Sequence, residues 1–318
     1  MILAERIRNL PPYLFASLEA KASELRAKGV DLIDLGIADP DLPPVSTVKN
    51  SLIHHLDDPD AHQYPTSQGD PEVRRQIAAW LRGRFGIEIN PVNEICVTMG
   101  SKEGLANLAR AFAEPGSFIA ATDPGYPVYA NAGAILNGAD FHALPLLPEN
   151  GFLPDLNQAS GARILYLNYP NNPTGAIAPE SFYREVAVWA DDNPDTLVVM
   201  DAAYCELSFQ SPKPPSTLQF SKNVIEFHSL SKMMNVTGYR IGFAVGKADV
   251  IAALTKVKTQ LDSGAPVFIQ RAMADALATY DGQNPPPEAQ RSHDEYAARK
   301  NLIEDGLKHI PGVLQVYP

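Results

Sequence analysis

The sequence predicts an α/β fold, a mostly parallel central sheet with helices on both faces, plus a small second α/β domain. Three observations lead there. Short β-branched or apolar runs alternate with amphipathic stretches through the middle of the chain, as in strands joined by crossover helices. After about residue 247 the strand signals stop and helical ones take over. The notable polar residues follow the strands, where open α/β sheets place their ligands.

The elements follow in order. Tyr13, Leu14, Leu18 and Leu25 recur at near-helical spacing up to Gly29, which predicts a helix over 12–28. Asp70-Pro71-Glu72 is a helix start, with Asp as N-cap and Pro at the first position, and the helix reaches Phe85. Strands are expected at Glu94–Met99, Phe118–Thr122, Ile164–Asn168, Leu197–Asp201, Val224–His228 and Ile241–Val245, with helices near 101–113, 126–136 and 179–191. Further helices are expected at 248–261, 266–280 and 287–309, with a turn at Gly282–Pro287 between the last two. The run Val313–Tyr317 reads as a strand just beginning.

Composition narrows the function classes. The 318 residues are 45% hydrophobic and 20% charged, as in a globular protein with room for a large core and a smaller domain. A net charge of −11 argues against a nucleic-acid partner or an anionic membrane surface, though not against a locally basic pocket. Cys96 and Cys205 are too few for a disulfide framework; both are expected in strand-like surroundings, in a reducing compartment. The N-terminus lacks the apolar core of a signal peptide, and no run approaches the roughly 18 apolar residues of a membrane span. A cytoplasmic protein is expected. The seven histidines show no metal-ligand spacing, so no metal is expected.

Several residues carry possible chemistry, and each has a plain structural reading beside it. Lys232 follows an apolar strand and a small-residue turn; alone it would be a solvated surface lysine. Ser229, Ser231 and Arg240 beside it offer hydroxyls and a planar cationic fork to a phosphate. A lysine near cations in a water-poor site loses basicity, as an amine that forms a Schiff base requires. Asp201 closes a strand, either capping the next turn or pairing with a ring nitrogen. Tyr204 is a core tyrosine or a hydrogen-bonding partner of a cofactor oxygen. Tyr169–Gly175 is a turn-rich segment that can also hold a side-chain amide still. Gly100-Ser101-Lys102-Glu103-Gly104 opens a helix whose N-terminal N–H groups suit a phosphate, a weak signal by itself. Tyr126 either packs at a helix start or stacks on a flat ring.

The succession GSKEG, DPGYPVY, YPNNPTG, DAAY, SLSK and GYR resembles the class I/II aminotransferases of pyridoxal 5′-phosphate (PLP) fold type I. Six signals stand in that family's order and spacing. The resemblance implies Lys232 as the lysine that binds PLP as a Schiff base and carries the proton between the substrate Cα and the cofactor C4′. It implies Asp201 on the ring nitrogen, Asn172 and Tyr204 on the phenolic oxygen, and Tyr126 on the ring face. It gives the phosphate to Ser101, Lys102, Ser229 and Arg240, with Ser231 adjacent. Tyr64 matches the tyrosine that reaches the phosphate of a neighbouring subunit, so a homodimer with shared active sites is implied. The domains would be 1–40, an N-terminal segment of the small domain; 41–262, the large PLP-binding domain; and 263–318, the start of a C-terminal small domain.

Within the family, runs such as Leu10–Phe15, Asp34–Asp41, GSKEG and Glu226–Lys232 look most like LL-diaminopimelate aminotransferases and their alanine-aminotransferase-like relatives. By that likeness Tyr13 and Gly36 would line the substrate side, against plain readings as a packing and a turn residue. The implied reaction moves an amino group between an amino acid and 2-oxoglutarate in a ping-pong cycle. Rival readings are an alanine- or aspartate-type transaminase, a C–S lyase on the same fold, a PLP-binding regulatory domain, or an α/β binding protein. Family members continue into a subdomain whose arginine grips the substrate carboxylate. This chain stops at Pro318, so a fragment is expected and no residue takes that role.

Overall fold

The computed structural model describes residues 2–12, 14–33, 39–209 and 211–312. The apolar runs become the strands β1 (Ile95–Thr98), β2 (Phe118–Asp123), β3 (Asp140–Pro145), β4 (Ile164–Asn168), β5 (Leu197–Asp201), β6 (Val224–Ser229) and β7 (Gly242–Val245). They form one sheet in the order β1-β7-β6-β5-β4-β2-β3. Strands β6, β5, β4, β2 and β3 pair in parallel, and β7 runs antiparallel to both its neighbours, β1 and β6. The expected α/β class holds, with one reversed strand.

The helices are α1 (Glu5–Arg8), α2 (Leu14–Ala27), α3 (Ser46–Leu56), α4 (Pro71–Phe85), α5 (Ser101–Phe112), α6 (Glu180–Asp192), α7 (Leu230–Met233), α8 (Ala248–Lys258), α9 (Val267–Ala278) and α10 (Pro287–Leu307). Asp70 caps α4 as its sequence predicts, accepting from Glu72 N at 2.8 Å, and Gly86 ends it in the left-handed conformation.

Side-chain alternation along the strands divides the core. Cys96, Ile119, Ala121, Ile164, Tyr166, Val199, Ile225, Phe227 and Ala244 face Leu105 and Leu108 of α5 and Ile251 and Leu254 of α8. Their strand neighbours Ala120, Leu165, Leu167, Val198, Met200 and Val224 face Phe182, Tyr183 and Val186 of α6. Ile95, Val97, Phe243 and Val245 turn to α4 and α9. Both faces are therefore covered, which is why the central strands read as continuous apolar runs. Each fully buried leucine in these layers contributes about 1.5–3 kcal/mol.

Some local expectations are corrected. The segment expected as a helix over 126–136 is a π-helix, Tyr129–Ala134, followed by a 3-10 turn, Ile135–Asn137. Asn137 Nδ2 donates to the carbonyls of Ala132 and Gly133 there, at 2.9 and 2.7 Å. Cys96 is in β1, but Cys205 lies in the 3-10 turn after β5; both thiols are buried and unpaired. Strand β3 and helices α1, α3 and α7 were not anticipated. The expected strand Val313–Tyr317 lies outside the described residues.

Candidate active site

Strand register brings the polar strand ends to one edge of the sheet. Asn168, last in β4, lies beside Asp201, last in β5, and Asp201 beside Phe227 of β6. Ser229, last in β6, and Thr98, last in β1, flank Gly242, first in the reversed β7. The loop Tyr169–Gly175, the helix α7 bearing Lys232, the start of α5 and Arg240 therefore converge on this edge.

One side of the site is a cradle for an anion. Gly100, at φ 78°, precedes α5 without capping it through a side chain, which leaves backbone N–H groups and the positive end of the helix dipole open to a ligand. The arrangement has no room for larger residues. A Cβ on Gly100 would stand 2.8 Å from Arg240 Nη2, and one on Gly242 would stand 2.7 Å from the His228 carbonyl and 3.1 Å from Ser101 N. Arg240 is itself left-handed at φ 53°, and its Nη1 donates to the Thr237 carbonyl at 3.0 Å. Ser229 is buried and does not cap α7. Lys102 holds its ammonium 5.9 Å from the centre of the half-buried Tyr126 ring.

The other side is built around Asp201, which is 3% exposed. Its Oδ2 accepts from the Tyr129 hydroxyl at 2.9 Å and its Oδ1 from Ala203 N at 3.3 Å. Burial pushes its carboxyl up from the ordinary 3.8 to about 6, against the opposing pull of Tyr129, the Ala203 N–H and His228. Lys232 sits on α7 with Nζ 5.9 Å from the centre of the Tyr204 ring. Burial lowers its basicity, with Arg240 adding to the effect and Asp39 opposing it. Asn172 Nδ2 donates to the Tyr204 hydroxyl at 3.2 Å, and burial raises that phenol to about 12.

The turn-rich loop is held by its own amides. Asn168 Oδ1 accepts from Asn172 N at 2.7 Å, while its Nδ2 donates to the Asp201 carbonyl at 2.7 Å. Asn171 Oδ1 accepts from Thr174 N and Oγ1 at 3.2 and 2.7 Å. The backbone that carries Asn172 is fixed as a result.

The structure thus brings Lys232, Asp201, Tyr204 and Asn172 together on one side and Ser101, Ser229 and Arg240 on the other. Tyr126 meets Tyr129 edge-on, ring centres 6.0 Å apart. Ser231 turns its hydroxyl to the Ile241 carbonyl at 3.4 Å. Tyr64 is 93% exposed. Tyr13 and Gly36 lie outside the described residues. Two residues that sequence reasoning passed over are Tyr129 and Asn168. Asn168 carried a signal, a polar residue closing a wholly buried strand. Tyr129 carried none, since its partner Asp201 is 72 positions away.

The donor set suits a flat phosphorylated cofactor with a basic ring nitrogen. Asp201 is a buried carboxyl whose hydrogen-bond donors, a phenol and a backbone amide, carry no charge, so a protonated nitrogen would offset its burial. Gly100, Gly242 and Arg240 form a cradle that a Cβ would fill.

Comparison with known proteins agrees. The model of the family "Aminotransferase class I and II" matches residues 30–318. The chain is 46% identical over 318 residues to the LL-diaminopimelate aminotransferase of Dehalococcoides mccartyi strain BAV1, covering 98% of this chain and 80% of that one. With its counterpart from Halothermothrix orenii the identity is 42% over 315 residues, 96% of this chain and 79% of the relative. Among solved structures, an aspartate aminotransferase double mutant of Thermus thermophilus superposes with a TM-score of 0.92 at 28% identity, covering all of this chain and 83% of that one. Substrate-bound BacF from Bacillus subtilis superposes with a TM-score of 0.87 at 30% identity, covering 95% and 76%. Fold, site and sequence agree that this chain belongs to the class I and II aminotransferases, PLP-dependent enzymes of fold type I.

Proposed function

We propose that the enzyme interconverts LL-2,6-diaminopimelate plus 2-oxoglutarate with tetrahydrodipicolinate plus glutamate and water, the direction that forms diaminopimelate being the one that leads to lysine. The observation that carries the transaminase chemistry is the convergence of Lys232, Asp201 and the Asn172–Tyr204 pair on one strand edge. The substrate is supported by 41–46% identity to curated LL-diaminopimelate aminotransferases over nearly the whole chain.

Bound PLP supplies a protonated ring that takes up the electron pair released at the substrate's α-carbon. The chain's residues do the rest. Ser101, Lys102, Ser229 and Arg240 bind the phosphate, with Ser231 behind them. Asp201 keeps the proton on the ring nitrogen. Asn172 and Tyr204 fix the phenolic oxygen, and Tyr126 covers the ring face. Lys232 Nζ would hold the cofactor covalently and, when free, would be the group that carries the proton at the substrate's α-carbon, a role that its lowered basicity favours. Tyr13 and Gly36 line the substrate side.

Tyr64 reaches the phosphate of a partner subunit in a homodimer, a role that its exposure of 93% in one chain supports. In the same reading residues 41–262 form the PLP-binding domain, 1–40 and 263–318 belong to the small domain, and the enzyme works in the cytoplasm. The test is a substrate panel on the purified full-length protein. We expect 2-oxoglutarate-dependent turnover of LL-diaminopimelate at a kcat/KM at least about tenfold above alanine or aspartate, a margin worth about 1.4 kcal/mol. Turnover of alanine or aspartate without diaminopimelate would overturn the substrate assignment and leave the class intact.

A further inference from the structure

We propose that Tyr129 is a positioning residue for the reaction, whose hydroxyl holds Asp201 in the ionised, correctly oriented form that faces the ring nitrogen. This rests on the assignment of Asp201 to that nitrogen.

The geometry is specific. Tyr129 is 1% exposed and begins the π-helix after β2, and its hydroxyl donates to Asp201 Oδ2 at 2.9 Å. The ring cannot turn away. It stacks on Tyr166 of β4, with centres 4.9 Å apart and planes 16° from parallel, and Tyr166 is fixed by its own hydroxyl donating to the Leu105 carbonyl at 3.0 Å. Tyr126 closes the remaining side edge-on. Ala203 N holds the other oxygen, Oδ1, and Asn168 Nδ2 holds the Asp201 carbonyl, so both side chain and backbone of Asp201 are constrained.

The chemistry gives the hydroxyl more than a packing role. A phenol beside a carboxylate can only donate to it, and here burial and the Asp201 charge both keep Tyr129 protonated. That donation favours the charged carboxylate over the carboxylic acid. A proton shared between Asp201 and the cofactor's ring nitrogen is thereby pushed toward the nitrogen, where the reaction needs it. The other titratable groups facing Asp201 are Tyr166 from β4, Tyr204 from the turn after β5, and His228 from β6. The two tyrosines are also held protonated by burial, and of the residues around Asp201 it is Tyr129 that donates a side-chain hydrogen bond to the carboxylate.

Tyr129→Phe tests this, because it removes one oxygen and keeps the ring in its stack. Two readouts are used. In the apoprotein, the Asp201 carboxyl stretch is titrated by infrared spectroscopy, with Asp201→Asn identifying the band; a hydrogen bond to a charged group implies a midpoint about one to two pH units higher in the variant. In the holoenzyme, 15N-labelled cofactor reports ring-nitrogen protonation; the variant's resonance should move toward the neutral ring, with kcat reduced about tenfold and KM little changed. Tyr166→Phe removes a neighbouring buried hydroxyl without touching Asp201, and its 15N resonance should stay in place. Tyr129→Phe with unmoved midpoint and resonance would overturn the proposal, as would equal shifts in Tyr166→Phe. If Asp201→Asn itself leaves the 15N resonance unmoved, the assignment of Asp201 fails and the proposal with it. A shift in Asp201→Asn without one in Tyr129→Phe defeats the Tyr129 role alone.

Discussion

Asp201 shows how a single residue can be costly to the empty protein and useful to the loaded one. Its folded-state carboxyl, at about 6, lies above the ordinary 3.8, so the folded apoprotein binds the proton more tightly than the unfolded chain does. The resulting stability is fully present below about pH 4 and is lost as pH rises through about 6. Two units correspond to about 3 kcal/mol, at 1.36 kcal/mol per unit. The apoprotein of Asp201→Asn should therefore unfold in denaturant with a free energy about 2–3 kcal/mol above wild type at pH 8, with the difference vanishing near pH 4. Equal stabilities at pH 8 would mean that Asp201 is not strained by its burial. A protonated ring nitrogen reverses the sign of the effect, since the charge then has a partner. Lys232, Asp201 and Arg240 stood out in the sequence because each lies at or near a strand end with small or turn residues around it. Tyr129 was not, because an aromatic in a Pro- and Tyr-rich run looks like core until the partner strand is placed.

At the scale of elements, α5 needs its N-terminus held in place for the cradle to keep its shape. Glu103, in the first turn, reaches back to accept from Met99 N at 2.8 Å. Both oxygens of that carboxylate also accept from Lys258 Nζ at 3.1 Å, and Lys258, fully buried at the end of α8, meets Asp262 at 3.0 Å. Asp262 Oδ1 in turn accepts from Gly264 N at 2.8 Å, and a Cβ on Gly264 would stand 2.8 Å from the Thr66 carbonyl. The ion cluster thus ties the start of α5 to α8 and to the segment next to Tyr64. Lys258→Met leaves two half-buried carboxylates, Glu103 and Asp262, without their cation and should destabilise the protein by about 3 kcal/mol in denaturant unfolding. A loss under about 1 kcal/mol would show that the cluster is solvated and does not tie these elements. Most elements were legible for a physical reason: a strand covered on both faces must be apolar throughout, and α4 carries its cap and stop in Asp70, Pro71 and Gly86. Edge strand β3 was not, since five of its six residues, Asp140 to Ala143 and Pro145, are exposed and leave no apolar run. Helix α3 was missed because it buries only Val48 and Ser51.

For the whole molecule, a net charge of −11 coexists with a site that collects Lys102, Lys232 and Arg240 at one strand edge. Overall charge set expectations about macromolecular partners, while local charge sets the ligand. Among the described residues no helix is long and apolar enough to cross a membrane. The chain spans about four fifths of the length of its curated relatives, and α10 docks on the loop after α7: Tyr296 donates to Asn235 Oδ1 at 2.9 Å, and Asn235 Nδ2 to Ser292 Oγ at 2.9 Å. Asn235 lies three residues beyond Lys232, so α10 braces the loop that follows that lysine. The order of six motifs made the family legible where each motif alone had a plain reading, because the sheet topology that unites them is encoded in that order. The central claim is that this edge holds PLP through Lys232. Borohydride reduction of the purified holoenzyme, followed by peptide mapping, should place the pyridoxyl label on Lys232 alone. A label on any other lysine, Lys102 included, would contradict the account.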